Sequence, residues 1–298
     1  STQSRSSAAS DVYKRQAIRN STGFIPALNS VLMPSSSERH ELIKLTAVTK
    51  SFTGAEQPVL NGISFSVCDG DCIVVSGPNG SGKTVLMTLI AGLETPTSGS
   101  IVRSRKDGGE LRIGLVFQEA DAQILGDTVE EDALFGMRDS KLPKDVIAQR
   151  LETVLAQLGL YEKRRSPARS LSGGEKRRLA VAGILMMEAD VIIFDEPFAN
   201  LDFAGVVQVT AMIEQLQRDG KTIMVLTHEL EKVLALANRL IILHKGNLVY
   251  NAEPEPALHS GILEQYGIRN PLCSYRSFAD LVWKAGAVQK LKAYRLFL

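Results

Sequence analysis

The sequence predicts an α/β fold built on a mostly parallel sheet. An apolar run, Cys72 to Ser76, leads into GPNGSGKT (Gly77 to Thr84) and then into the helix-like stretch Val85 to Ala91. Four further strand-like runs follow at 111–117, 191–195, 222–227 and 239–243, apolar enough for a sheet covered on both faces. Between the second and third of these five runs, residues 127–183 are predominantly helical in pattern. An α/β core with an inserted helical subdomain accounts for all three observations.

Bulk composition narrows the functional classes. A chain of 298 residues, 44% hydrophobic, has enough material for one large domain or one domain with an appendage. Lysine and arginine total 34 against 33 acidic residues, a net charge of +1, so there is no general electrostatic reason to expect nucleic-acid binding. The longest apolar candidate, Leu179 to Phe194, is interrupted by Glu188 and Asp190, which predicts a peripheral rather than spanning relation to any membrane. Cys68, Cys72 and Cys273 are odd in number and form no CxxC pair. That pattern favours a reducing compartment and buried thiols over a disulfide framework or a metal site.

Along the chain, residues 1–40 read as an extension outside the fold, with 1–32 serine-rich and without periodicity. The string DVYKRQ, Asp11 to Gln16, resembles the translation of a transposase mosaic end used in preparing sequencing libraries, so this stretch is set aside as partly non-native. Met33 is then the expected start, an ordinary flexible extension being the alternative. Short β elements are expected from Leu42 to Ser66, followed by the strand into GPNGSGKT and a helix over Thr84 to Gly92.

GPNGSGKT fits GxxxxGK[ST] at every fixed position, between a strand and a helix. Gly77, Gly80 and Gly82 let backbone N–H groups approach an anion, with Pro78, Asn79 and Ser81 completing the loop, and the following helix presents its positive end. Lys83 is suited to the β and γ phosphates and Thr84 to Mg²⁺. The run VIIFDEPF, Val191 to Phe198, is a buried-strand pattern ending in two carboxylates. Asp195 is suited to holding Mg²⁺, and Glu196 to orienting or deprotonating the attacking water. In LSGGEKRRLAVAGIL, Leu171 to Leu185, Ser172, Gly173 and Gly174 precede a helix, a second anion-binding arrangement.

Together these three motifs resemble the ATP-binding subunits of ABC transporters, with Glu175 at the fifth position of the LSGGQ signature. The resemblance implies an ABC-type P-loop NTPase core, an antiparallel β subdomain, and a helical subdomain near 127–183, the ATPase domain spanning about 41–250. It also implies head-to-tail pairing, as a homodimer or with a related ATPase, in which Ser172, Gly173 and Gly174 close over ATP held by the other subunit's cradle. Gln118 resembles the Q-loop glutamine that reaches Mg²⁺, and His228 the switch histidine near the γ phosphate. Asn200 to Asp202 resemble the D-loop, ANLD standing where GLD or ALD is common, and Phe52 resembles the aromatic that stacks on adenine, a core phenylalanine being the alternative.

Phe117 to Gly136, FQEADAQILGDTVEEDALFG, is similar to the FQNPDDQ and TVEEDVAFG pattern of energy-coupling-factor (ECF) and cobalt-type transporter ATPases. AGILMM and GIRNPL (Gly267 to Leu272) resemble the same group, while Glu119, Ala120 and Phe198 depart from it. Glu130 and Glu131 also suit a helix N-terminus for purely structural reasons. Residues 251–298 form a further extension whose end, Ser277 to Leu298, is compatible with an amphipathic helix carrying Lys284, Lys290 and Lys292.

The expected function is an ATP-hydrolysing, Mg²⁺-dependent subunit at the cytoplasmic face of the membrane. It would power vitamin or transition-metal uptake with a transmembrane coupling subunit and a substrate-binding membrane protein. Another ABC importer or exporter is the alternative. A soluble ABC protein of DNA repair or translation fits less well, because Gln118 and Ser172 are too close to enclose a long coiled coil and only one cassette is present. A binding module without turnover is disfavoured by the joint presence of Lys83, Asp195, Glu196 and His228.

Overall fold

The computed structural model describes residues 39–54, 56–138 and 140–272. The expectations for residues 1–32, for Cys273 and for the helix over Ser277 to Leu298 lie outside them.

The central sheet has six strands, in the spatial order β5 (Ile113–Val116), β6 (Val191–Asp195), β7 (Thr222–Leu226), β3 (Cys72–Ser76), β8 (Arg239–His244) and β9 (Asn247–Ala252). All pairings are parallel except that of β8 with β9. The runs β3, β6 and β7 are buried at every residue, because alternate side chains enter different cores. Cys72 and Val74 join the helical side, whereas Ile73 and Val75 join the side of the second sheet. That second sheet is antiparallel, β2 (Leu60–Cys68), β1 (Glu41–Lys50) and β4 (Ser98–Arg103). Packed with it is α1 (Lys83–Ala91), which buries Leu86, Met87, Leu89 and Ile90.

The helical stretch contains α2 (Val129–Ala133), α3 (Lys144–Gln157) and α4 (Gly173–Met186). Thr128 and Glu131 form a reciprocal capping box at α2, so one of the two acids noted in sequence has a structural task. After the DEP motif comes α5 (Phe203–Arg218), and after β9 come α6 (Pro254–Ser260) and α7 (Ile262–Gln265). Within GIRNPL, Asn270 donates to the Leu258 carbonyl at 2.7 Å and accepts from the Leu272 N–H at 3.0 Å, tying this segment to α6.

Two boundaries and two strands differ from expectation. The first is β5, which stops at Val116 because the Gln123 side chain occupies the chain just beyond it, accepting from the Phe117 N–H and donating to the Leu115 carbonyl, both at 2.8 Å. Next, β9 crosses the expected boundary at residue 250, and Ala257, Leu263 and Ile268 share the core of β7. Finally, β4 and β9 were absent from the expected strands. Among the described residues no helix is long and apolar enough to cross a membrane.

Candidate active site

Parallel strand order brings the chemistry to one edge. The cradle follows β3, Asp195 ends β6 and Glu196 follows it, His228 lies two residues beyond β7, and Gln118 lies two beyond β5. These are the C-terminal ends of neighbouring strands, where open α/β sheets bind ligands.

Two of the cradle's glycines, Gly77 and Gly82, leave no room for a side chain. A Cβ on Gly77 would sit 2.2 Å from the Leu243 carbonyl oxygen, and one on Gly82 would sit 2.6 Å from Leu60 Cδ2. At Gly82 the backbone is also left-handed, with φ 101°, and no side chain caps the first turn of α1. The N–H groups there are therefore directed at whatever the loop surrounds. Ser81 Oγ is buried without a hydrogen-bond partner among the described residues. A polyanion fits this arrangement chemically, since it supplies acceptors for the helix end, the hydroxyl and the lysine together.

Lys83 is only 8% exposed, and its Nζ donates to the Gly77 carbonyl at 2.8 Å. Burial lowers its pKa, while the charges of Glu196 and Asp195 oppose that shift. Asp195 is pushed the other way, upward, by burial and then by Glu196, with Lys83 and the Thr84 hydroxyl at 3.5 Å holding it down. The lysine and the two acids thus form one electrostatic unit that gains by receiving further cationic charge beside Asp195.

Glu196 has a left-handed backbone, φ 45°, unusual for a residue with a side chain. Its N–H is fixed to the Leu226 carbonyl at 2.8 Å. One carboxylate oxygen, Oε2, accepts from Thr227 Oγ1 at 3.1 Å, and Oε1 lies 3.0 Å from His228 Nδ1. The His228 side chain is 61% exposed, whereas that of Glu196 is 12% exposed. The acid is thereby held between two partners and the histidine is left exposed.

Other predicted residues stand apart. Ser172 and Gly173 are exposed at the start of α4 whereas Gly174 is buried, and among the described residues no hydrogen bond links the exposed pair to the cradle. Ser172 and Glu175 form a capping box, and Glu175 also accepts from Lys163 at 2.6 Å. The Lys163 ammonium, followed by the Ser172 N–H, holds the Glu175 pKa down at about 2. Glutamate in place of glutamine at the fifth signature position is therefore an ion-pair partner here. Asp202 caps α5 by accepting from the Gly205 N–H at 2.7 Å. Phe52 is 44% exposed with Lys50 Nζ 5.0 Å from its ring, so it is not a core residue. Phe198, where threonine is common, is 1% exposed and fills the core.

Three contributors are given no role by the sequence reading, although Gln123 and Arg177 lie inside the stretches FQEADAQ and LSGGEKRR. Thr227 aims Glu196, Gln123 fixes the exit of β5 toward Gln118, and Arg177 donates to the Gln118 and Ala199 carbonyls. The only sequence signals are a hydroxyl one residue before His228, a glutamine five residues after Gln118, and a basic residue three after Gly174.

A strand running through a glycine-rich turn into an uncapped helix, with a buried lysine coupled to two carboxylates at the end of a nearby strand, defines a P-loop nucleoside triphosphatase. Residues 60–199 match the ABC transporter family. The chain is 35% identical to the energy-coupling factor transporter ATP-binding protein EcfA of Carboxydothermus hydrogenoformans, over 80% of this chain and 91% of that protein. It is also 35% identical to the cobalt import ATP-binding protein CbiO of Rhodobacter capsulatus, over 78% of this chain and 86% of that one. Among solved structures, cbiO1 of Clostridium perfringens, described as part of the ABC transporter complex cbiONQ, superposes with a TM-score of 0.68 at 28% identity, over 78% of this chain and 96% of that chain. The chain belongs to the ABC transporter ATP-binding family and, within it, to the ECF-type ATPases, which couple ATP hydrolysis to transport.

Proposed function

We propose that this chain hydrolyses ATP as one of a pair of ATPase subunits bound peripherally at the cytoplasmic face of a membrane, driving uptake of a vitamin or a transition-metal ion. The observation that carries the reading is the arrangement around Glu196, where a strained backbone, Thr227 and His228 fix one carboxylate beside buried Lys83 and Asp195. Lys83 and the N–H groups of the cradle bind the phosphates; Thr84, Asp195 and Gln118 hold Mg²⁺. When bound, Mg²⁺ neutralises charge on the β and γ phosphates. Glu196 orients water and accepts its proton, and His228 supports the γ phosphate from the exposed side. Phe52 stacks on the base.

Ser172, Gly173 and Gly174 meet the nucleotide of the partner ATPase, with Asp202 at the same interface. A γ phosphate touched from both sides favours the closed pair, and its loss removes that preference. The ATPase unit proposed for residues 41–250 includes the helical insert, with the segment after it packed on the same core. A transmembrane coupling subunit and a substrate-binding membrane protein complete the assembly, in keeping with the similarity to ECF and cobalt-import ATPases.

The test is hydrolysis by the full chain and by Glu196→Gln. Turnover should fall about 10²-fold or more, the scale of general-base catalysis, with ATP still bound; unchanged turnover removes Glu196 from the mechanism. Tagged protein purified from detergent-solubilised native membranes should carry a shared coupling subunit and a small substrate-binding membrane protein. A conventional permease pair in their place would move the chain to another transporter class.

A further inference from the structure

Arg177 lies in the first turns of α4 and is 4% exposed. Among the described residues no carboxylate lies within ion-pair distance of its guanidinium, and Nε is buried without a hydrogen-bond partner. A single nitrogen, Nη2, donates to two main-chain carbonyls, Gln118 at 3.2 Å and Ala199 at 2.7 Å.

Stability does not explain this residue. A buried cation without an anion is unfavourable, and two carbonyl dipoles offset the desolvation only in part. Burial accordingly shifts the arginine toward its neutral form. An apolar side chain of similar length would fill the same space at lower cost.

Its placement does explain it. Gln118 stands just beyond the end of β5, and Ala199 lies between Glu196 and the α5 cap, Asp202. Among the described residues no other hydrogen bond joins these two loops. The nearby Lys176–Asp121 pair, at 2.5 Å, also runs from α4 to the segment after β5, but the Asp121 side chain is 72% exposed, and exposed pairs contribute little. Because both carbonyls share one nitrogen, a shift of α4 is transmitted to both loops at once. The same helix starts at Ser172 and Gly173, exposed where a second chain can touch them.

We infer that Arg177 is a positioning residue, which locks the loop of Gln118 to the loop between Glu196 and Asp202 and makes both follow the signature helix. The inference rests on the ATPase reading above and adds a specific path between the surface signature loop and the hydrolytic groups. Among the described residues Arg177 itself donates only to the main-chain carbonyls of Gln118 and Ala199.

The experiment compares full-length wild type, Arg177→Met and Arg177→Lys. It measures ATP affinity in EDTA, steady-state kcat and KM, the Mg²⁺ concentration for half-maximal activity, and thermal melting. In Arg177→Met, affinity in EDTA should be retained, because Lys83 and the cradle are untouched. Its kcat should fall about 10-fold or more, and the Mg²⁺ requirement should rise several-fold, the scale on which outer-shell supports act. Arg177→Lys should recover part of kcat, since an ammonium has donors for both carbonyls but a shorter reach. Folded variants with wild-type kcat and Mg²⁺ dependence overturn the inference, whatever their melting temperature. Failure of both variants to fold also overturns it, by making the arginine structural. A wild type that neither binds nor hydrolyses ATP removes the underlying site reading instead.

Discussion

At the scale of single residues, the site is controlled by groups that limit the freedom of others. Glu196 accepts from Thr227, meets His228 and holds a backbone angle that ordinary residues avoid, a strain of about 1–3 kcal/mol. Gly77 is limited more severely, since an added Cβ would meet the rigid Leu243 carbonyl at 2.2 Å. Gly77→Ala should lose ATP binding and destabilise the fold by about 2 kcal/mol or more, checked by nucleotide titration and denaturant melts; wild-type behaviour would mean that β8 can yield. Glu175 gives a pH test. Its folded pKa of about 2 lies below the ordinary 4.5, so the carboxylate adds stability that is full above about pH 4.5 and is lost as pH falls through about 2. The stability gap between wild type and Glu175→Gln should therefore be widest at neutral pH, shrink below about 4.5 and close near 2. Melting curves with an invariant gap would show that the Lys163 pair contributes nothing. Lys83, Asp195 and Glu196 stand out in sequence because they sit at fixed places in GPNGSGKT and VIIFDEPF, whereas Gln118 stands out only through the family resemblance. Thr227 and Arg177 do not, because their partners lie on other segments and only the fold brings them together.

At the scale of elements, the fully buried strands were the most legible. Runs such as Val191–Asp195 have apolar residues for both faces of a covered sheet, and little else in a soluble core looks like that. Phe194, the fourth residue of that run, is fully buried. Phe194→Ala should cost about 3–5 kcal/mol in a denaturant melt. A loss under 1 kcal/mol would mean that the helical side of the sheet collapses into the space. β4 and β9 escaped notice for the opposite reason. Every residue of both is exposed or half-buried, which leaves no apolar stripe, and each is an edge strand of its sheet. Main-chain pairing, which leaves no trace in composition, makes them strands. Helix starts fell between these extremes. Thr128 with Glu131 and Ser172 with Glu175 have the spacing of a capping box, of which the sequence reading uses only the acidic Glu130 and Glu131, and the ion pair of Glu175 with Lys163 needs the fold to be seen.

At the scale of the whole molecule, each chain carries a complete cradle and a signature loop that faces outward. A side chain at Gly173 meets nothing closer than Leu201 Cδ2, at 3.6 Å, so Gly173→Asp should fold normally, and aspartate suits a helix N-terminus. Its activity should nevertheless be lost if that loop approaches a phosphate on a partner chain. Lys83→Ala should be inactive through the cradle. Mixing the two variants should restore hydrolysis that neither has alone, because one composite site in each mixed pair is intact. No recovery would place both loops in the same chain's site. The order of the central sheet has one more consequence. The cradle strand pairs Cys72 with Ile223 and Ser76 with Ile242, so both of its neighbours are synthesised long after it. At roughly 5–20 residues per second, a ribosome needs about 8–30 s to travel from the cradle strand to β7. For that interval the nascent GPNGSGKT has no flanking strands to brace it. A chain truncated before Thr222 would carry the whole motif and still not retain nucleotide.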